Sequence, residues 1–330
     1  MFKGLLRVSG TIALSQFWPA GGSDADTASV TVNAKSFEFS LDPSKKPFRQ
    51  TRVFEGAQIG KKSVIHGGKV TVRFQGIDAP ELHFPPMVPK KGLMGNGTKY
   101  RQLQGETSTD KLERFIISGR PQTVGCQVVT RIDKPDDAFD LYARLIGDIL
   151  VDTGAKQVNL THWLAQNGWA YPSYYNSMLP SEVNALQKLC DQARAKGRGI
   201  WPFLTKVVGA PDLTLTFRPG GPFNTKEEQA DKGHVVMPKF FRRRLRYAIL
   251  RLNKLPPTTF REYLKSDKTA KWTTRAAFLK NPNMKPPKNT LADLLTAGDV
   301  VQPGPGDLVF FEAPARLTKN GKPVTVWTFV

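Results

Sequence analysis

A chain of 330 residues with 40% hydrophobic content is long enough for one large domain or two ordinary ones, each with a proper core. Lysine and arginine number 48 against 28 aspartates and glutamates, a net charge of +20 that favours polyanions as partners, nucleic acid first and anionic membrane surfaces second. Two cysteines, Cys126 and Cys190, exclude a disulfide scaffold and a cysteine-based zinc site but leave a single bridge open, and no run approaches 18 apolar residues, which excludes a membrane span.

The opening stretch MFKGLLRVSGTIALSQFW is broken by Arg7 and Gly10 and lacks a small-residue cleavage site, so it reads as a strand rather than a signal peptide. The compartment stays open, with the cytoplasm favoured. Residues 7–33 read as a hairpin around a loop holding Pro19, Gly21, Gly22, Ser23 and Asp24, and the second run opens with DADT at Asp24–Thr27. Taken alone, DADT is an Asx-type turn. Residues 34–68 are basic and suggest an extra hairpin of FEFSL with RVFEG.

The stretch VRFQGIDAPE, Val72–Glu81, carries the chemistry. Val70, Val72 and Phe74 form an apolar row, Thr71, Arg73 and Gln75 project to the other face, and Pro80 ends the strand so that Asp78 and Glu81 lie on the loop beyond. Carboxylates suit a hard cation and a guanidinium suits phosphate, so the group is able to hold both; a plain strand-end ion pair of Arg73 with Glu81 is the alternative. A polar, proline-rich loop over 82–100 follows, then a helix from residue 104 or 105 to 117. Two more strands, QTVGCQVVT and ARLIGDILV, flank the turn KPDDAFDLY. VNLTHWLAQNGWA is predicted to be a helix stopped by Gly168, and PSEVNALQKLCDQARAKGRG a second, with Gly197 and Gly199 past its end.

Four blocks in order resemble the staphylococcal nuclease (thermonuclease) family: VRFQGIDAPE, DLYARLIGDILVDTG at Asp140–Gly154, VNLTHWLAQNGWAYPSYYNSM, and the closing GRGIW at Gly197–Trp201. The resemblance covers roughly residues 5–203. It implies an α+β fold, a five-stranded OB-type β-barrel with three helices, as a domain over 1–205 with an insertion at 34–68. It further implies a Ca²⁺-dependent hydrolase acting on DNA and RNA phosphodiesters with little base selectivity, cutting on the 5′ side of the phosphate. Carried over residue by residue, Asp26 and Asp78 are the carboxylate metal ligands, the Ala79 carbonyl is the third ligand, and Arg73, Glu81 and Arg144 are catalytic. Asp26 is preferred over a register that aligns VFEGAQI, Val53–Ile59, with the acidic turn, because that register puts Ala57 where the carboxylate belongs. Asp140 is expected to orient its turn. Leu141 and Ala143 depart from the family block without touching the arginine. Tyr174 and Tyr175 stand where the family has tyrosines near the nucleotide, packing between helix and barrel being the alternative, and His83 has no counterpart there. The runner-up function is a non-catalytic nucleic-acid-binding or partner-recruiting module, since barrels of this family also occur in degenerate form.

Residues 206–330 resemble no family and read as a basic C-terminal region. Its helix, KFFRRRLRYAILRLNK, has an apolar row of Phe241, Leu245, Ile249 and Leu252 and no acidic residue, which suits a phosphate-binding face with Lys239, Arg242, Arg243 and Arg246 as candidate contacts to a nucleic-acid backbone, a membrane-surface helix or a solvated face being the alternatives. The tail alternates like a hairpin about LTKNGK, with Asn320 and Gly321 at the turn.

Overall fold

The computed structural model describes residues 4–44, 48–87, 89, 92–117, 122–153, 156–221, 235–257, 259–302, 304–313 and 315–330. In chain order its elements are β1 (Gly4–Ala13), β2 (Thr27–Thr31), β3 (Phe37–Ser40), β4 (Arg49–Gln50), β5 (Ala57–Ile59), β6 (Lys62–Ser63), β7 (Lys69–Phe74), β8 (Ile77–Asp78), α1 (Gly105–Ile117), β9 (Thr123–Ile132), β10 (Leu145–Asp152) and β11 (Gln157–Asn159). They continue as α2 (Leu160–Asn167), β12 (Tyr171–Pro172), β13 (Tyr174–Tyr175), α3 (Pro180–Ala195), α4 (Pro238–Leu252), α5 (Phe260–Ser266), β14 (Lys271–Thr274), α6 (Arg275–Lys280), β15 (Leu308–Phe311), β16 (Leu317–Lys319) and β17 (Lys322–Pro323).

Period-two patterning builds the core. β7 turns Val70, Val72 and Phe74 inward, where they meet Leu6, Val8 and Ile12 of β1, Val128 of β9 and Ile149 of β10. β1 pairs antiparallel with β2 and β9, β9 with β10, β10 lies parallel to β7, and β7 returns to β2. The result is a closed five-stranded mixed barrel with helices packed around it, an OB-like α+β fold. Its register sets the site: Thr27 lies opposite Arg73, so Asp26, one residue earlier, reaches the end of β7.

Local signals explain the helix limits. Asn159 caps α2 by accepting from the His162 N–H at 3.1 Å, and Gly168 ends it at φ 72°, a left-handed conformation that suits glycine. α3 starts with Pro180 in its first turn, and Glu182 reaches back to the Leu179 N–H at 2.8 Å.

The insertion differs from expectation. β3 does begin a hairpin, but its partner is β4 at Arg49–Gln50 rather than the RVFEG run, and β3 also adds to the barrel sheet beside β1. Val53 and Phe54 are buried instead, with Phe54 edge-on to Phe139 at 5.1 Å, because the barrel flank offers apolar cover that a hairpin in solvent would not. Ala57 falls in β5, which pairs with β6 and β16 away from the barrel sheet.

The expected boundary near residue 205 is crossed by shared sheets and a shared core. β15 pairs in parallel with β13 and antiparallel with β14, and the tail hairpin β16–β17, turning at Asn320 and Gly321, pairs with β5. Trp327 stacks on Phe39 at 3.8 Å. Phe240, Phe241, Leu245 and Ile249 of α4 bury against Tyr100, Leu103, Tyr171 and Ile200 in a second apolar cluster. Both thiols are free, and burial pushes Cys126 and Cys190 up to about 12, so the bridge left open by the sequence is absent among the described residues. No helix among the described residues is long and apolar enough to cross a membrane.

Candidate active site

The end of β7 and the loop after it gather the charged groups. Alternation aims Arg73 away from the Val72 and Phe74 side, the chain turns at Gly76, and β8 holds Asp78 opposite Tyr171 of β12. Arg73 Nη2 lies 3.2 Å from Asp78 Oδ1. The Ala79 N–H donates to Asp26 Oδ2 at 3.0 Å, so the acid of the DADT turn is tied to this loop. Glu55, the nearest acid in the alternative register, instead faces Arg52 at 3.9 Å.

Glu81 is fixed from behind by the loop that leads into α1 and by the start of that helix. Its N–H donates to Gln102 Oε1 at 3.3 Å, while Gln102 Nε2 donates to the Val236 carbonyl at 2.6 Å. The first residue of α1 must be small here: a Cβ on Gly105 would lie 2.5 Å from the Glu81 carbonyl oxygen.

Arg144 enters the same cleft from the start of β10. Asp140 Oδ1 accepts the N–H groups of Tyr142 and Arg144, each at 2.9 Å, and Asp140 Oδ2 takes Arg144 Nε at 2.7 Å. Asp140 thus aims the guanidinium as well as the turn. The bend passes through Ala143 at φ 65°, a left-handed position held by a residue with a Cβ.

The opposite wall comes from α4. Arg242 Nη2 lies 3.0 Å from Asp78 Oδ2 and its Nη1 3.3 Å from Asp78 Oδ1, and Nη1 also donates to Glu81 Oε1. One turn earlier, Lys239 donates to the Tyr175 hydroxyl at 2.5 Å and lies 4.6 Å from the Phe310 ring centroid. Arg73 lies 5.8 Å from the Tyr175 ring centroid, so Tyr175 sits between two cations. All these side chains line one cleft of about 1260 Å³, together with Asp24, Asp26, His83, Arg144 and Arg243.

Electrostatics separates the acids. Burial would raise the Asp78 carboxyl, but Arg242 and Arg73, with Lys239 behind them, outweigh it and hold the group at about 2. Burial pushes Glu81 up to about 8; Arg242 opposes the rise, and the Asp24, Asp78 and Asp26 carboxylates add to it. Burial also raises Asp26. Lys239 is lowered by burial, and Tyr175 is lowered because Arg73 and Lys239 together exceed the opposing effect of its burial.

The structure therefore brings Asp26, Arg73, Asp78, Ala79 and Glu81 together, with Arg144 facing the same space. Three readings of the sequence are corrected. Tyr174 is fully buried, its hydroxyl 3.0 Å from Gln187 Oε1, so it packs between α3 and the barrel, and only Tyr175 lines the cleft. Lys239 and Arg242 reach a nucleic-acid backbone only within the cleft, because both turn inward to its acids and aromatics instead of lying along an exposed helical face. Arg243 pairs with Asp267 at 2.7 Å and Arg246 bonds the Tyr263 side chain, so both side chains are turned to partners within the C-terminal region. His83 pairs with Asp24, its Nδ1 3.2 Å from Oδ1.

The donor set does not fit a divalent cation in this arrangement. Both Asp78 oxygens and one Glu81 oxygen accept from Arg242, Asp78 Oδ1 also faces Arg73, and Asp26 Oδ2 is taken by a backbone N–H. Among the described residues no three His, Cys, Asp or Glu side chains are gathered as a metal-holding group.

The spacing of Lys239 and Arg242, three residues apart on one helical face, was the available signal that two cations act together. Nothing in the sequence said which way that face points. Residues 71–202 match the family described as staphylococcal nuclease homologue. No curated protein gives a significant match to the chain.

Proposed function

We propose that this chain, carrying a staphylococcal nuclease homologue domain over residues 71–202, hydrolyses phosphodiester bonds of DNA and RNA in the cleft between the barrel and α4. The observation that supports this reading is the meeting of Arg73, Asp78 and Glu81 with Arg144 across a single cleft. The cleft volume of about 1260 Å³ exceeds the roughly 300–1,000 Å³ usual for small-molecule pockets, in keeping with a polymer.

Arg73 and Arg144 hold the non-bridging oxygens of the scissile phosphate through paired N–H donors, a geometry that lysine lacks. Asp140 keeps Arg144 pointed at that position. Glu81 accepts a proton from a water as the water oxygen bonds to phosphorus, and the P–O5′ bond opposite breaks. The departing oxygen takes a proton from solvent, which leaves a 3′-phosphate and a 5′-hydroxyl. A carboxyl raised to about 8 is a stronger base than an ordinary glutamate, and fixed guanidiniums stabilise the charge that grows on phosphate. Contacts centred on phosphate carry no base readout, which gives a physical reason for broad sequence tolerance.

Ca²⁺ is the family's usual cofactor, but Arg242 engages both oxygens of Asp78 and the Ala79 N–H takes Asp26 Oδ2, so the carboxylates expected to receive it are already shared and no step is routed through a metal. The same contact of Arg242 with Glu81 favours a second reading, a nucleic-acid-binding module without catalysis. Incubating the purified chain with plasmid and with RNA, each with Ca²⁺ or with chelator, separates the two. Nicked and shortened products carrying 3′-phosphate ends support hydrolysis, whereas retarded but intact nucleic acid supports the binding module.

A further inference from the structure

We propose that Arg242, contributed by the region outside the family match, is a built-in cation of the catalytic cluster. It takes both oxygens of Asp78, a carboxylate that a divalent ion would need, and it offers its guanidinium to the scissile phosphate, so that cleavage proceeds without a divalent metal. The inference rests on the nuclease reading above.

Three observations carry it. First, the guanidinium makes a two-pronged contact with Asp78 and a further contact with Glu81, using donors in the fork geometry that also matches phosphate. Second, the helix that delivers it is held in place. Phe240, Phe241, Leu245 and Ile249 are buried, Arg243 is tied to Asp267 and Arg244 lies 3.3 Å from Asp299, so the backbone under Arg242 is anchored on both sides. Third, the cations that face these acids come from the protein itself. The carboxylates of Asp26, Asp78 and Glu81 face Arg73, Arg242 and Lys239, and a divalent ion added to this set would meet three fixed positive groups and few unshared oxygens.

The chemistry follows from an exchange of partners. A phosphodiester entering between Arg73 and Arg144 presents non-bridging oxygens to Arg242, whose donors move from Glu81 to phosphate. Glu81 is thereby released to take the proton of the attacking water, and Asp78 keeps the guanidinium oriented. The atoms balance as in hydrolysis by water alone, with no further reactant.

The test uses the full chain and two readouts. Calcium binding to the metal-stripped protein is measured by titration calorimetry, and cleavage of a single-stranded oligonucleotide is timed in chelator and in millimolar Ca²⁺. The native chain is expected to give no calcium heat and the same cleavage rate in both conditions. Arg242→Gln is expected to lose metal-free cleavage by about 10²-fold or more, the usual scale for removing one charge-stabilising donor. It should also gain calcium binding, with Kd on the order of 10⁻⁴ to 10⁻³ M. Arg242→Lys retains charge without the fork, and covers the case in which the glutamine variant unfolds. It is expected to fold by circular dichroism and still lose most metal-free cleavage. A native chain that binds calcium and cleaves only in its presence overturns the inference while leaving the nuclease reading standing. So does an Arg242 variant faster than the native chain, which would make the arginine a plug. A native chain that cleaves nothing in either condition overturns the nuclease reading and the inference together.

Discussion

Residues 71–202 present charge from strand ends and tight loops, whereas α4 presents it from the first turns of a helix. Arg73, Asp78, Glu81 and Arg144 are placed by barrel register and the short loops that leave it, over a few residues each. Arg242 and Lys239 are placed by the docking of a whole apolar face, and from across the cleft Arg242 reaches the same carboxylates while Lys239 reaches the Tyr175 hydroxyl. The barrel supplies the acids and two arginines, and the added region supplies cations and one wall. A site assembled this way depends on two kinds of stability, and each can be disturbed separately.

The largest effect is expected from Phe240→Ala, which empties a fully buried position in the cluster shared by α4 and the loop ahead of α1. A buried Phe→Ala change costs about 3–5 kcal/mol. Denaturant unfolding followed by tryptophan fluorescence should show one transition, displaced for the barrel and the C-terminal region alike. Two transitions, only one of them displaced, would mean that the regions fold independently and that the comparison is between neighbours.

Next come Glu81→Gln and Arg73→Ala. Each should lower turnover about 10²- to 10³-fold with the fold retained, because in the proposed mechanism these side chains serve the reacting water and phosphate more than the core. Near-normal turnover in either, with an unchanged circular dichroism spectrum, would remove the barrel from the chemistry and leave it as scaffold.

The pH profile is a smaller effect and sharpens the same contrast. Glu81 must lose its proton to act as a base, and its carboxyl is raised to about 8. Below that value kcat/KM should fall about tenfold per pH unit, and above it the rate should level off. Asp78, held at about 2, stays ionised throughout and contributes no limb in this range. A profile flat from pH 6 to pH 9 would assign the proton transfer to another group.

The smallest effect is expected at Ala143. Glycine accepts φ 65° without the steric cost of a Cβ, so Ala143→Gly should be neutral to stabilising, by up to about 1 kcal/mol. Thermal unfolding measures it. A clear loss of stability would show that packing of the buried methyl outweighs the backbone cost.

Much of the barrel was legible because its signals are local. Alternation marked β7, β9 and β10, Gly168 marked the end of α2, and the Arg73–Asp78–Glu81 spacing is contained within nine residues. Asp26 needed the resemblance to the nuclease family, since DADT taken alone is an ordinary turn. The C-terminal helix was legible as a helix, Lys239–Lys254 expected and Pro238–Leu252 observed, but not as a wall of the cleft. The apolar row says that one side is buried without saying against what, and a cation at its margin reads as solvated until its partner acids are known. Tyr174 and Tyr175 show the same limit at a single step. Adjacent residues on an extended backbone face opposite ways, so one joined the core and the other the cleft.

The pairing of β5 with β16, and of Phe39 with Trp327, also sets an order of events during synthesis. The flank of the barrel laid down early has to wait for partners encoded far downstream. At about 5–20 residues per second a ribosome takes on the order of half a minute to reach them. Over most of that interval the emerging polypeptide exposes Phe39 and the edge of β5. Chains arrested near residue 300 should be cut readily by protease around residues 37–59, with protection appearing once the tail clears the exit tunnel.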